Sequence, residues 1–186
     1  MSRAKNVTRR SERALAFQVL YGLSFTPVTS LGALRAAFRQ SPDNADRLAE
    51  QLAEYEAAVE AAQEAARNAG PDDDPLPAPE RIDTAPTGFA WELVEGVWKN
   101  TADLDAVITR FSRNWRVDRM GRIELTLLRL GIYELLYRAD IPSKVAINEA
   151  LELARQFGEH NARSFINGIL DAAARALESG DITRKG

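Results

Sequence analysis

Five cations, Arg3, Lys5, Arg9, Arg10 and Arg13, fall within the first 13 residues against a single acid, Glu12. The guanidinium fork offers paired N–H donors to carboxylate or phosphate oxygens and can lie flat on a ring. The chemistry of this cluster is therefore anion binding, not bond making. The one histidine, His160, lies in a Gly158-Glu159-His160-Asn161 turn with Ser164 four residues on. General-base work needs an orienting carboxylate and a nucleophile within reach, and the sequence identifies neither. No cysteine is present, and one histidine with scattered helical carboxylates makes no metal-ligand constellation. The 11 glycines are isolated and lack the strand–loop–helix context of a phosphate loop. The chain reads as non-enzymatic, with no cofactor.

The whole chain, 186 residues with a formal charge of −3, is not basic, so any contact with nucleic acid must rest on local clustering. The length suffices for one ample core or two small helical subdomains. No apolar run approaches the ~20 residues that span a bilayer, and the N-terminus lacks the apolar core of a secretory signal. A soluble, cytoplasmic protein without disulfides is expected. Alanine, leucine, glutamate and arginine dominate, and valine and isoleucine fall at helical spacings, which makes the class all-α.

The element that must present the arginines is a helix beginning near Thr8 or Ser11 and running to about Ser24, with Ala14, Phe17, Leu20 and Tyr21 inward. Cations on its first turns oppose the helix dipole, a conflict that a bound anion would relieve. A solvated basic tail is the alternative. A short helix from about Ser30 to Arg39 follows, with Leu31, Leu34 and Phe38 inward. Asp46 to Asn68 is alanine- and glutamate-rich and reads as an added helix. Gly70 to Gly88, with five prolines and Asp72-Asp73-Asp74, reads as a loop that buries too little apolar surface to order itself. Phe89, Leu93, Val97 and Trp98 open another helix, paired with Asp103 to Phe111.

Asp118 to Arg138 carries apolar residues on nearly every face, as a central helix does. Its polar residues Arg122, Thr126, Arg129, Tyr133 and Tyr137 form one stripe expected at the surface. Pro142 ends it, and Ser143 is expected to cap a helix with Ile147, Ala150, Leu151, Ala154 and Phe157 on one face. Glu149 and Glu152 fall off that face and read as helix-surface or buffering charges. After Gly158 a last helix starts near Asn161, with Phe165, Ile166, Ile169, Leu170, Ala173 and Leu177 inward and Gly168 allowing a close approach.

Three motifs in this last third carry a family resemblance: Leu128-Arg129-Leu130 with Tyr133-Glu134-Leu135, Ile141-Pro142 with Val145-Ala146-Ile147-Asn148-Glu149-Ala150, and Phe165-Ile166-Asn167-Gly168-Ile169-Leu170-Asp171. In that order they resemble the NusB family of bacterial transcription antitermination factors. The likeness extends more loosely to the basic N-terminus and to Trp91 through Phe111, and fails between about Ser41 and Thr87. It implies a bundle of about seven helices in two packed helical subdomains, here with the added helix and the Pro/Asp-rich loop. The corresponding divisions are a basic arm at 1–13, an N-terminal subdomain at 14–112 with the 46–88 insertion, a C-terminal subdomain at 113–179 and a tail at 180–186.

The resemblance further implies binding of single-stranded boxA RNA jointly with NusE, a small-subunit ribosomal protein, within an RNA polymerase antitermination complex that acts notably on ribosomal RNA operons. The RNA-facing candidates are Arg9, Arg10, Arg13, Tyr21, Arg129, Asn161, Arg163 and Phe165. Arg129 is balanced between phosphate and an internal carboxylate, and Phe165 between core packing and base stacking. Asp118, Arg122 and Glu124 are the candidates for the protein interface. Alanine at Arg9, Arg10 and Arg13 is expected to weaken RNA binding and leave stability nearly unchanged. The competing reading is a self-associating helical module, a homodimer whose arginines serve solubility. Some RNA cytosine methyltransferases carry a NusB-like domain, but the chain is too short for their second domain and shows no βαβ alternation.

Overall fold

The structure, a computed structural model, describes residues 8–41, 57, 60–61, 64, 86–112, 115–159 and 161–185. Seven α-helices have both ends among them, and no strand occurs there: α1 (Arg9–Leu23), α2 (Leu31–Arg39), α3 (Phe89–Lys99), α4 (Thr101–Phe111), α5 (Arg122–Tyr137), α6 (Ser143–Phe157) and α7 (Ala162–Glu178), with a 3₁₀ turn at Val117–Arg119. The chain divides into two compact units, one of Met1–Thr29 with Thr87–Gly186 and one of Ser30–Pro86. In the second, Ser30 caps α2 by accepting from the Ala33 amide, and Leu34 and Phe38 are buried. The expected Asp46–Asn68 helix and most of the Pro/Asp-rich loop lie outside the described residues; Ala57, Glu60, Ala61 and Glu64, which are described, are helical.

In the first unit α5 is the axis, packed by α1, α3, α4, α6 and α7. Its length follows from its ends. Pro142 occupies the cap position of α6, because it lacks the N–H that would continue α5 and disfavours a helical Ile141. Ser143 is therefore the first residue of α6 and makes no capping bond, contrary to the sequence expectation. The N-terminal end is also shorter than expected, since Asp118 belongs to the separate 3₁₀ turn.

Two glycines set the spacing around α5. A Cβ at Gly131 would lie 2.9 Å from both methyls of Leu170 and 3.5 Å from Ala150, so this glycine lets α5 meet α6 and α7. A Cβ at Gly96 would collide with the Tyr133 ring, which joins α3 to α5. Gly168, the residue expected to permit close approach, has open space where its Cβ would be. The sequence pattern located a small residue on α7, but the neighbouring helix presents its own glycine instead.

The polar stripe of α5 also differs from expectation. Only Arg122 is exposed, Thr126 is buried, and Arg129, Tyr133 and Tyr137 are half-covered. Two residues of the stripe face α4: Arg129 donates Nε and Nη2 to Asp105 at 2.7 Å each, and Tyr137 donates to Asp103 at 3.4 Å. The last residues close over the same region. The Lys185 amide donates to the Leu136 carbonyl at 2.9 Å and its Nζ to Asp103 at 2.7 Å.

Candidate nucleic-acid interface

α1 begins in a reciprocal capping box, the Thr8 hydroxyl accepting from the Ser11 amide and the Ser11 hydroxyl from the Thr8 amide. This fixes where the arginines fall. At one turn's spacing Arg9 and Arg13 point toward Phe89, each guanidinium 5.1 Å from the ring centre, while Arg10 lies on the adjoining face beside α6. Arg138, from the end of α5, approaches the same ring at 5.0 Å. Phe89 opens α3 behind Gly88, whose φ of 93° suits glycine.

Each arginine meets an acid. Arg13 is bound at two points to Glu134 of α5, Nε to Oε1 at 2.7 Å and Nη2 to Oε2 at 2.8 Å, with side chains only 4% and 2% exposed. Arg10 is bound at two points to Glu149 of α6, at 2.7 and 3.1 Å. Arg9 has one contact of 3.4 Å with Asp140, whose carboxylate is held mainly by Arg138 at 2.9 and 3.2 Å. Arg138 also reaches Glu92. Four guanidinium groups thus alternate with four carboxylates, which makes the beginning of α1 locally balanced rather than simply basic.

These pairings move the acids in different directions. Hydrogen bonding from Arg10 holds Glu149 below the usual carboxylate range, and Arg138 does the same for Asp140. Burial pushes Glu134 up, opposed by its bonds from Arg13.

The other end of α1 is aromatic. Phe157 of α6 stacks on Phe17 at 4.8 Å, Phe17 on Tyr21 at 5.8 Å, and Tyr21 meets the edge of exposed Phe25 at 5.1 Å. The Arg122 guanidinium lies 4.2 Å over Phe25. Tyr21 and Arg122, expected to serve RNA and protein partners respectively, therefore border one surface.

At the start of α7, Asn161 and Arg163 are exposed and Phe165 is half-buried, its ring 5.4 Å from that of Trp115. Trp115 is 56% exposed, and its amide donates to the Ser112 carbonyl at 2.8 Å. Asp118 is exposed and paired with Arg116 at 2.9 Å, and Glu124 is half-buried in the first turn of α5.

Arg13 and Arg129 are committed to carboxylates within the fold. For Arg13 this corrects the expectation that alanine leaves stability nearly unchanged, because truncation would strand a buried Glu134. Trp115, Phe25 and the acids Glu92, Glu134 and Asp140 were given no site role by sequence, and Glu149, read there as a helix-surface or buffering charge, is instead bound to Arg10 with its side chain only 15% exposed. Glu134 carried a signal: a lone acid inside the apolar run Gly131-Ile132-Tyr133-Glu134-Leu135-Leu136 requires a buried cation. His160 lies outside the described residues, among which no group of three His, Cys, Asp or Glu could hold a metal.

The family model described as "NusB family" matches residues 50–175. The transcription antitermination protein NusB of Nitratidesulfovibrio vulgaris (strain DSM 19637 / Miyazaki F) is 58% identical over 185 residues, covering 100% of this chain and 98% of that one. The chain belongs to the NusB family. Two solved structures have the same fold. T. maritima NusB matches with a TM-score of 0.61 and 22% identity over 95% of this chain and 99% of that one. A chain from the crystal structure of antitermination factors NusB and NusE in complex with dsRNA matches with a TM-score of 0.58 and 20% identity over 90% and 96%. The NusB fold is thus the frame for the arginine–carboxylate network, and no helix among the described residues is long and apolar enough to cross a membrane.

Proposed function

We propose that this NusB-family protein is a cytoplasmic, non-enzymatic antitermination factor that grips single-stranded boxA RNA together with a NusE-type partner on transcribing RNA polymerase, notably in ribosomal RNA operons. The observation that carries the reading is the division of α1, with exposed Arg9 and Arg10 on its first turn and the Tyr21–Phe25 ring pair at its other end. Guanidinium groups suit the backbone phosphates and exposed rings suit unstacked bases. Asn161, Arg163 and the Phe165–Trp115 pair supply a second group of the same composition. Asp118, Arg122 and Glu124 are the proposed contacts for the protein partner. Support for that partner comes from the relatives named as antitermination proteins and from the fold shared with one chain of the structure of NusB and NusE in complex with dsRNA.

The test is a fluorescence anisotropy titration of a short boxA RNA and its scrambled counterpart at two salt concentrations, with and without NusE. Preferential boxA binding that tightens with NusE is expected. Equal, weak binding to both RNAs would reduce the surface to a generic anion site and overturn the reading.

A further inference from the structure

The three arginines at the start of α1 are not equally available to an anion. Arg13 is sealed against Glu134, and Arg9 holds its acid by a single long contact. The Arg10–Glu149 pair differs from both. Its cation is 64% exposed while its carboxylate is only 15% exposed, so the fold fixes the acid and leaves the guanidinium at the surface. The two-point bond occupies the donor edge that a phosphate would use.

Glu149 is also within 3.9 Å of Arg13 Nη1, so it keeps a cation when Arg10 departs. Beside it lies an open depression of ≈ 190 Å³ bordered by Arg10, Glu149, Glu152 and Arg155. Arg155, the second guanidinium there, is paired in turn with Glu152 at 3.2 Å. Both cations that could receive a phosphate at this place are therefore already held by glutamates.

We propose that Glu149 is an internal substitute for RNA phosphate: it positions Arg10 in the free protein, and RNA binds by exchanging that carboxylate for a backbone phosphate at the depression. This rests on the RNA-binding reading above. The exchange releases Arg10 from Glu149 without stranding the acid, which remains beside Arg13. Glu149 thereby lowers RNA affinity and restricts tight binding to ligands whose other contacts are strong enough to drive the exchange.

The experiment compares the unaltered full-length protein, Glu149→Gln, Arg10→Ala and the double variant in titrations with the short single-stranded boxA RNA at two salt concentrations. Thermal melts check the fold. Glu149→Gln should bind about two- to fivefold tighter, the scale of an exposed ion pair released, and Arg10→Ala should abolish that gain. A merely structural glutamate would give weaker binding when replaced. If the glutamine variant is unstable, Glu149→Asp, which withdraws the charge from Arg10, should tighten binding in the same direction. Binding by the unaltered protein with no gain in the variant, or a gain that survives Arg10→Ala, overturns the exchange alone. No RNA binding by the unaltered protein overturns the RNA reading and the exchange with it.

Discussion

Arg13 of α1 and Glu134 of α5 meet through two parallel hydrogen bonds of 2.7 and 2.8 Å, both side chains almost closed to water. The pair ties the helix that bears the surface arginines to the axis of the fold. It also separates Arg13 from Arg9 and Arg10, which share its sequence neighbourhood but not its surroundings. A buried pair of this kind is costly to break and cheap to replace, because desolvation of two charges offsets much of their attraction.

Arg13→Ala or Glu134→Ala should each lower unfolding free energy by about 3–5 kcal/mol, since either leaves a buried charge without its partner. Arg13→Met with Glu134→Leu should recover most of the loss. Urea denaturation of the three variants measures this, and a single variant within about 0.5 kcal/mol of the unaltered protein, the range of ordinary surface changes, would contradict the burial argument.

Acid should destabilise the protein through a different set of carboxylates. Glu149, Asp140 and Asp103 are held below their ordinary values by Arg10, Arg138 and Lys185 respectively. In that window the unfolded chain binds more protons, so their contribution is present above about pH 4 and lost as pH falls through the lower folded values. Glu134 runs the other way, because burial raises it: its contribution is present below the ordinary glutamate value and lost as pH rises through the folded one. Thermal midpoints between pH 7 and pH 3 should fall on the acid side, and less steeply in Glu149→Gln. Identical acid limbs in the two proteins would remove Glu149 from the account.

Helix periodicity made most of the fold legible. It located α5 as the axis, the break at Pro142, and the two helices after it, because apolar spacing and proline geometry are properties of the local chain. Pairings across distant elements were not legible in the same way. Glu149 stands off the apolar face of α6 and reads as a surface charge, and only the packing of α1 against α6 shows that Arg10 and Arg13 flank it. Trp115 lies outside the helices with no period to mark it, and its relation to Phe165 arises from tertiary placement.

The two glycines on α5 and α7 should respond oppositely to alanine. At Gly131 the new methyl would meet the Leu170 methyls at 2.9 Å and push apart helices that are already in contact, costing about 1–3 kcal/mol. At Gly168 the position is exposed, helical and open, so alanine should stabilise by roughly 0.5–1 kcal/mol through chain entropy alone. Thermal melts of the pair settle the matter; equal effects would mean that Gly131 does not set the helix spacing.

Trp115 offers the most direct optical view of the second proposed RNA contact. Trp91 is buried, and Trp98 is half-covered with its indole N–H donating to the Val28 carbonyl at 3.2 Å, whereas Trp115 is mostly in solvent. A base entering beside Phe165 would stack on the Trp115 ring and quench its emission. Saturating boxA RNA should therefore quench the unaltered protein, and the quench should vanish in Trp115→Phe while binding, followed by anisotropy, persists. Trp115→Ala should weaken binding by about five- to a hundredfold, the range for loss of one stacked base. A quench that persists in Trp115→Phe would place the RNA near another tryptophan and remove the Trp115–Phe165 pair from the RNA path. Unchanged affinity in Trp115→Ala would show that the ring, although exposed, bears no base.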